Sequence, residues 1–146
     1  MEKTKVSFVL KKIVTDQFAT FEGTDLDDEN IKINAEINFG INEANKIAVC
    51  FTRFQYLSQE SPFIIIHVNC QFGVEEAAWI NFVDNEKNVI TFPKGFMAHI
   101  AVITIGTTRG VLHAKTENTK FNKYFLPTIN VNELVKEDIS FGLERK

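Results

Sequence analysis

The residues able to do covalent or metal chemistry are few and scattered along the chain. Cys50 and Cys70 have neither a CxxC spacing nor the spacing of a metal-binding pair. His67, His99 and His113 have no partner at the i, i+4 spacing of a helical metal site. We therefore expect each histidine to lie at the surface or in a local hydrogen bond. The sequence predicts no metal, no cofactor and no enzymatic activity.

The two cysteines are nevertheless predicted to face each other. If the segments around them form a hairpin that turns near Glu60, antiparallel pairing sets Cys50 opposite Cys70. Two interpretations follow, a cross-strand disulfide or two reduced thiols in the core. The reduced form is favoured because we expect a cytoplasmic location, where thiols are kept reduced.

The acidic run at Asp25, Asp27, Asp28 and Glu29 resembles a calcium-binding loop in composition only. It lacks the glycine and the closing glutamate that an EF-hand loop needs at fixed positions. A solvated loop accounts for these four side chains.

Composition predicts one globular domain over residues 1–146. Hydrophobic residues make up 45% of the chain and charged residues 24%, close to the average of folded proteins. The net charge is −3 and the 16 Lys and Arg are scattered, which argues against nucleic acid as a partner. No run approaches the roughly 18 apolar residues of a membrane span, and no signal-peptide core follows the start. We therefore expect a cytoplasmic protein.

The first half of the chain has the period-two alternation of β-strands. Strands are predicted over residues 3–14, 31–41, 46–57 and 63–74, with a bulge in the third. Residues 15–30 are predicted to form a long connection that carries Phe18 and Phe21. Because the other turns are short, the four strands are predicted to form an antiparallel meander.

The second half changes to a helical period. A short helix or loop is predicted around Trp79, and residues 96–107 place apolar or β-branched side chains on one helical face. This long helix is predicted to begin after Pro93 and to end at Arg109-Gly110. Residues 111–123 are predicted to be a polar loop, and a last helix is predicted from Asn132, as N-cap, to about residue 142. The sequence thus predicts an α+β fold.

The chain contains 14 phenylalanines, and several have no obvious place in the core of a single sheet. Phe18 and Phe21 fall in the long connection, while Leu134 and Phe141 fall on the predicted last helix. In one interpretation these side chains pack together and cover one face of the sheet. In the other they line a groove that binds an extended peptide through apolar contacts and a strand edge.

Three stretches of the sequence resemble the SecB family of protein-export chaperones. Residues 8–16, FVLKKIVTD, and then Phe21-Glu22 resemble the first strand of that family and the start of its crossover loop. Residues 96–110 resemble its long helix, which closes with Arg-Gly, and residues 126–134, LPTINVNEL, resemble the signature before its terminal helix. The likeness follows the chain in order from one end to the other.

The resemblance implies a four-stranded antiparallel sheet with a long helix and a short C-terminal helix on one face. It implies an ATP-independent holdase without a cofactor, assembled as a dimer of dimers, that binds unfolded or pre-export polypeptides in an apolar groove. By the same resemblance, the walls of the peptide site include Phe18, Phe21, Leu134 and Phe141. Asp16 and Glu22 match acidic positions that dock on the SecA translocase motor.

The sequence also departs from the family pattern. Met97 stands where the family usually has proline, Ile66 is found where an acidic residue is expected, and there is no acidic C-terminal tail. These departures favour a divergent member, such as the SecB-like chaperones of toxin–antitoxin pairs, whose client is an antitoxin. Two alternatives stay open, a small-molecule-binding protein of the hot-dog type and an adaptor subunit without a client site. A hot-dog fold, however, needs its long helix near the N-terminus.

Overall fold

The computed structural model describes residues 6–144 and shows the α+β fold that the sequence predicts. A four-stranded antiparallel sheet packs against one long helix, with a short C-terminal helix beside it. The elements are β1 (Phe8–Thr20), β2 (Ile31–Asn42), β3 (Ile47–Ser58), β4 (Ser61–Val74), α1 (Glu76–Phe82), β5 (Val83–Asp84), β6 (Val89–Phe92), α2 (Lys94–Thr116), α3 (Val131–Leu134) and β7 (Ile139–Gly142).

The strand order of the main sheet is β1-β4-β3-β2, so the predicted meander holds for β2, β3 and β4 but not for β1. Hydrophobicity explains this order. In β4, Phe63, Ile64, Ile66 and Val68 are all buried, so this strand belongs at the centre of the sheet. β2 alternates apolar with charged or amide side chains and occupies one edge. β1 takes the other edge, beside β4.

The connection from β1 to β2, residues 21–30, crosses the end of the β3–β4 hairpin. Its backbone is fixed there, because the amide of Phe21 donates to the carbonyl of Phe63 at 3.0 Å. Further along, the hydroxyl of Ser58 donates to the carbonyl of Asp25 at 2.8 Å and accepts from the amide of Asp27 at 3.0 Å. We call residues 21–30 the crossover loop.

Residues 3–5 of the predicted first strand lie outside the part of the chain that the structure describes. Within the described residues, β1 begins at Phe8 and ends later than its alternation predicts. It runs to Thr20 because two register shifts, between Leu10 and Lys12 and between Thr15 and Gln17, let it continue alongside β4. Phe18 therefore lies on β1 and not in the connection. The bulge predicted in β3 is also displaced, since the shift in its pairing with β4 comes at Tyr56/Leu57.

Helix α2 continues past the predicted stop at Arg109-Gly110 and includes residues predicted to be a loop. Leu112 and Thr116 extend the buried face of the helix, and this burial outweighs the low helix propensity of glycine. Buried Thr104 and Thr116 are compatible with the helix because each donates to a carbonyl one turn back, Thr104 to Ile100 at 2.7 Å and Thr116 to Leu112 at 2.8 Å.

The predicted last helix is much shorter than its pattern suggests. α3 is a single turn, with Asn130 as N-cap in place of Asn132 and with the Asn130 side chain accepting from the Asn132 amide at 3.1 Å. The chain then forms β7, which pairs with β6 and completes a second antiparallel sheet of order β5-β6-β7. Phe141 is therefore a strand residue.

The core lies between α2 and the centre of the main sheet. Helix and sheet are joined by a buried hydroxyl pair, since Thr52 and Thr108 lie 2.7 Å apart and Thr52 also donates to the carbonyl of Val68.

Cys50 and Cys70 are paired directly across β3 and β4, as predicted, and both are free thiols. Among the described residues, α2 alone has the length and apolar composition of a membrane span. Its apolar residues supply this core.

Candidate functional site

A groove runs between α2 and the edge strand β1. It forms because α2 packs over β3 and β4, which leaves the face of β1 on the helix side only partly covered. The side chains on that face are those paired with core residues of β4, for example Leu10 opposite Phe72 and Ile13 opposite Cys70. Leu10 keeps 39% of its surface exposed and Ile13 keeps 49%. We call this feature the β1–α2 groove.

Two hollows mark the ends of the β1–α2 groove. One, of about 460 Å³, lies near the start of α2, where the ring of Phe8 meets those of Phe96 and His99 at 5.3 and 5.4 Å. The other, of about 660 Å³, lies near the end of α2 and is lined by Thr15, Phe18, Val111, Ala114 and Lys115. Lys115 holds its ammonium 6.0 Å from the centre of the Phe18 ring. Apolar side chains of β1 and α2 therefore recur along the groove, with Thr15 between Ile13 and Phe18 and the Lys115 ammonium at one end.

The four residues predicted to bind peptide do not lie together. Phe18 is half-buried in the groove beside the last turns of α2, and Phe21, 43% exposed, follows directly after β1. Phe141 packs against Phe92, which precedes α2, with ring centres 5.9 Å apart. Leu134 is 56% exposed on α3. The first pair and the second pair therefore lie towards opposite ends of α2.

Side chains that the sequence prediction missed complete the groove. Ile13, Val111 and Ala114 were overlooked because residues 111–123 were predicted to be a loop and because Ile13 falls out of phase with Phe8 and Leu10. That change of phase is itself the signal of the bulge between Leu10 and Lys12.

The two acidic residues predicted to dock a partner have partners inside the chain. Asp16 accepts a hydrogen bond of 2.7 Å from the side-chain amide of Asn69 on the face of the sheet opposite α2. Glu22 forms an ion pair of 3.5 Å with Lys120, and the same ammonium donates to the backbone carbonyl of Glu22. Both acids stay largely exposed, so each contact positions a side chain without burying it.

A second set of contacts ties the crossover loop to the segment after α2. The Lys123 ammonium lies 2.8 Å from one oxygen of Asp28, and the Tyr124 hydroxyl donates to the other at 2.6 Å. The hydrogen bond from Lys123, followed by that from Tyr124, holds the pKa of the Asp28 carboxyl below its usual range. We call the contacts of Asp28 with Lys123 and Tyr124 the loop latch. The ring of Tyr124 also packs on that of Phe63, with ring centres 4.9 Å apart, so the latch is anchored to the end of the main sheet.

The two cysteines are buried, and the three histidines lie on β4 and α2. Burial raises the pKa of Cys50 to about 12 and also raises that of Cys70, so both thiols are protonated and unreactive near neutral pH. Within residues 6–144, no three His, Cys, Asp or Glu side chains come together as a metal site. His99 packs on Phe8, and His113 lies 3.2 Å from Glu117 at the exposed end of α2.

Comparisons with known proteins leave the family unassigned. No protein-family model matches the chain, and no curated protein matches it. One solved structure, "The crystal structure of a protein of unknown function from Streptococcus agalactiae", is similar over 86% of this chain and 100% of its own, with 13% identity and a TM-score of 0.31. A similarity at that score carries no argument about fold or function.

Proposed function

We propose that this protein is an ATP-independent holdase that binds extended segments of unfolded polypeptides in the β1–α2 groove. The observation that carries the proposal is the partly covered inner face of β1, where Leu10, Ile13 and Phe18 lie in line along one side of α2. An exposed apolar strip of this kind is typical of an interaction site. The resemblance to the SecB family points to the same function.

The groove fits an extended chain better than a folded partner or a small molecule. It is open, and it follows a strand of 13 residues, which at about 3.3 Å per residue is roughly 40 Å long. Its apolar side chains accept many sequences because burial of apolar surface is not directional. This shape also argues against the hot-dog alternative, in which an acyl ligand occupies an enclosed pocket.

The proposal includes self-association through β1. This strand is an edge of the sheet, and an unpaired edge readily accepts another strand. If two copies of β1 pair antiparallel about a two-fold axis at Val14, Leu10 of each copy faces Phe18 of the other. In the same register Lys12 faces Asp16, so opposite charges meet across the new pair. A continuous sheet of eight strands then carries two β1–α2 grooves on one face.

The proposal does not include docking on SecA through Asp16 and Glu22. Asp16 already accepts a hydrogen bond from Asn69. In the paired sheet it would also lie opposite Lys12 of the second copy. Glu22 holds Lys120. The client, whether a pre-export protein or an antitoxin, is proposed to bind in the β1–α2 groove, on the face of the sheet towards α2.

Suppression of aggregation tests the proposed function. A chemically unfolded client is diluted into buffer with the wild type or with Ile13→Asp, and light scattering is followed without nucleotide. We expect the wild type to slow aggregation and Ile13→Asp to lose most of this effect, because a carboxylate in the groove opposes burial of apolar client residues.

Val9→Asp is the matched control. Val9 is on the same strand and is also exposed, but it pairs with Gly73 and points to the opposite face of the sheet. Both variants are first compared with the wild type in thermal unfolding. If the two variants suppress aggregation equally, or if the wild type has no effect on scattering, the proposed function is wrong.

A further inference from the structure

The face of the main sheet opposite α2 carries a row of four polar side chains, one from each strand. Gln17 on β1 is paired with His67 on β4, His67 with Arg53 on β3, and Arg53 with Glu36 on β2. With strands about 4.8 Å apart, the row spans roughly 14 Å. It lies along a surface depression of about 450 Å³. We call this feature the polar row.

The two central residues of the polar row are not explained by the stability of the sheet. Directly opposed basic side chains contribute nothing favourable to strand pairing and repel each other when the histidine is protonated. Glu36 lies opposite Arg53, but its carboxylate accepts from the side chain of Asn38 at 2.9 Å. Every ion pair formed among residues 6–144 lies elsewhere. The Arg53 charge is therefore left without a carboxylate partner in the described part of the chain.

The surroundings of Arg53 and His67 define the ligand that fits. Gln17, Asn34 and Gln55 also line the depression, and each amide side chain can both donate and accept a hydrogen bond. Such groups match the backbone of an extended peptide. Ile65 adds an apolar contact.

The charges near the polar row limit how much negative charge the ligand can carry. Glu36 ends the row, and Asp16 lies beside it in contact with Asn69. These two carboxylates repel a polyanion such as a nucleic acid. One arginine and one histidine are suited to a single carboxylate, which a guanidinium binds through two parallel hydrogen bonds.

We propose that the polar row binds an extended segment of a partner protein through one Asp or Glu side chain. Arg53 takes the carboxylate in a bidentate contact, His67 supplies a further donor, and the neighbouring amides hold the peptide backbone. The proposal is independent of client holding, because the β1–α2 groove lies on the opposite face of the sheet. It assigns to that face a partner with acidic side chains.

Binding of short blocked peptides, followed by NMR chemical-shift changes of the labelled protein, tests the proposal. The probe is a ten-residue peptide of serine and threonine with one central glutamate, acetylated and amidated at its ends. Its match has glutamine in place of the glutamate, and a third peptide has glutamine and a free C-terminal carboxylate. We expect only the glutamate peptide to shift the resonances of residues in the polar row.

Variants locate the binding. We expect Arg53→Gln to weaken binding of the glutamate peptide by about tenfold, the usual value of a charge-assisted contact. Lys87→Gln removes a positive charge from the exposed turn between β5 and β6 and is expected to leave binding unchanged. Ile13→Asp is also expected to bind the peptide normally, which separates this result from any failure of the proposed function. A thermal melt of each variant confirms that it is folded.

Four outcomes of the peptide experiments overturn the proposal. They are absence of binding by the glutamate peptide, equal binding of the glutamine peptide, wild-type affinity in folded Arg53→Gln, and binding of the free-carboxylate peptide alone. Equally tight binding of a ten-residue oligothymidine also overturns it, since that would assign the face to a polyanion.

Discussion

At the scale of single residues, Cys50 and Cys70 show how burial decides between two chemical interpretations. Strand pairing sets them opposite each other, which is the arrangement that allows a cross-strand disulfide. They are nevertheless free thiols under α2, where burial raises the pKa of Cys50 to about 12. The thiolate that attacks an oxidant or a disulfide is therefore scarce at neutral pH.

We expect both thiols to be unreactive in the folded protein. At pH 8 an aromatic disulfide reagent should modify neither cysteine within minutes, whereas unfolding in guanidinium should release two thiols per chain. The unfolding is done without reductant, so that a disulfide, if present, would lower the number of thiols released. Rapid modification of the native protein, or fewer than two thiols after unfolding, contradicts this account.

At the scale of the elements, the loop latch joins two segments that are far apart in the sequence. Asp28 lies in the crossover loop, while Lys123 and Tyr124 follow α2. The latch strengthens the folded state only while Asp28 is ionised and Lys123 is protonated. Because the pKa of Asp28 is lowered in the folded state, its contribution is complete above the ordinary value of 3.8 and is lost as the pH falls through the lowered pKa. The pKa of Lys123 is raised in the folded state, chiefly by its hydrogen bond to Asp28. The stabilisation by Lys123 is therefore complete below the ordinary lysine pKa of 10.5 and is lost as the pH rises through the raised pKa.

Asp28→Asn tests the loop latch. We expect faster hydrogen exchange of the amides in residues 21–30 and a lower Tm than the wild type near pH 7, with the Tm difference disappearing in acid. Glu29→Gln is the matched control, since it removes an exposed carboxylate from the same loop but leaves the contacts of Asp28 in place. Equal exchange in the wild type and Asp28→Asn, or a Tm difference that grows in acid, contradicts the latch.

The limits of sequence prediction are also clearest at this scale. Strands β2, β3 and β4 were predicted to within two residues at each end, because regular alternation reports a half-buried strand directly. β1 was cut short because its bulges change the phase of the pattern. α2 was cut short because Arg109-Gly110 looks like a helix stop, although Leu112 and Thr116 continue the buried face.

The site depended on long-range packing that no local pattern reveals. The β1–α2 groove exists because β1 lies beside β4 and not beside β2. This position follows from the crossover loop, which carries the chain past the β3–β4 hairpin, and from the burial of β4 at the centre of the sheet. Phe18 was predicted in the connection after the first strand and lies on β1, beside the last turns of α2. Phe141 was assigned to a helix and lies on β7, because residues after Leu134 pair with β6. The polar row likewise needs the strand register, which sets Arg53 opposite His67.

At the scale of the whole molecule, the two faces of the main sheet are proposed to have separate tasks. In this proposal the face towards α2 would hold apolar client segments, and the opposite face would take an acidic partner through the polar row. The edge strand β1 belongs to both faces and is the proposed contact between copies. An assembled sheet would then present two grooves on one side and two polar rows on the other.

A charge exchange tests the proposed pairing of β1. We expect Lys12→Asp and Asp16→Lys each to lower the assembled fraction seen by analytical ultracentrifugation, because like charges then meet across the two-fold axis. The double variant Lys12→Asp/Asp16→Lys restores opposite charges and should recover assembly. If the double variant is as dissociated as the single variants, or if the wild type is monomeric at all concentrations, this interface is wrong.

Site-specific photo-crosslinking tests the central claim, the binding of unfolded polypeptide in the β1–α2 groove. A photoreactive amino acid is placed at Ile13 in the groove or at Lys32, which is exposed on β2 and faces away from α2. We expect the group at Ile13 to crosslink to an unfolded client and the group at Lys32 to give little product. Excess unfolded client should compete with this crosslinking, whereas the same client in its native state should not. Equal crosslinking at the two positions, or none at Ile13, would contradict the account.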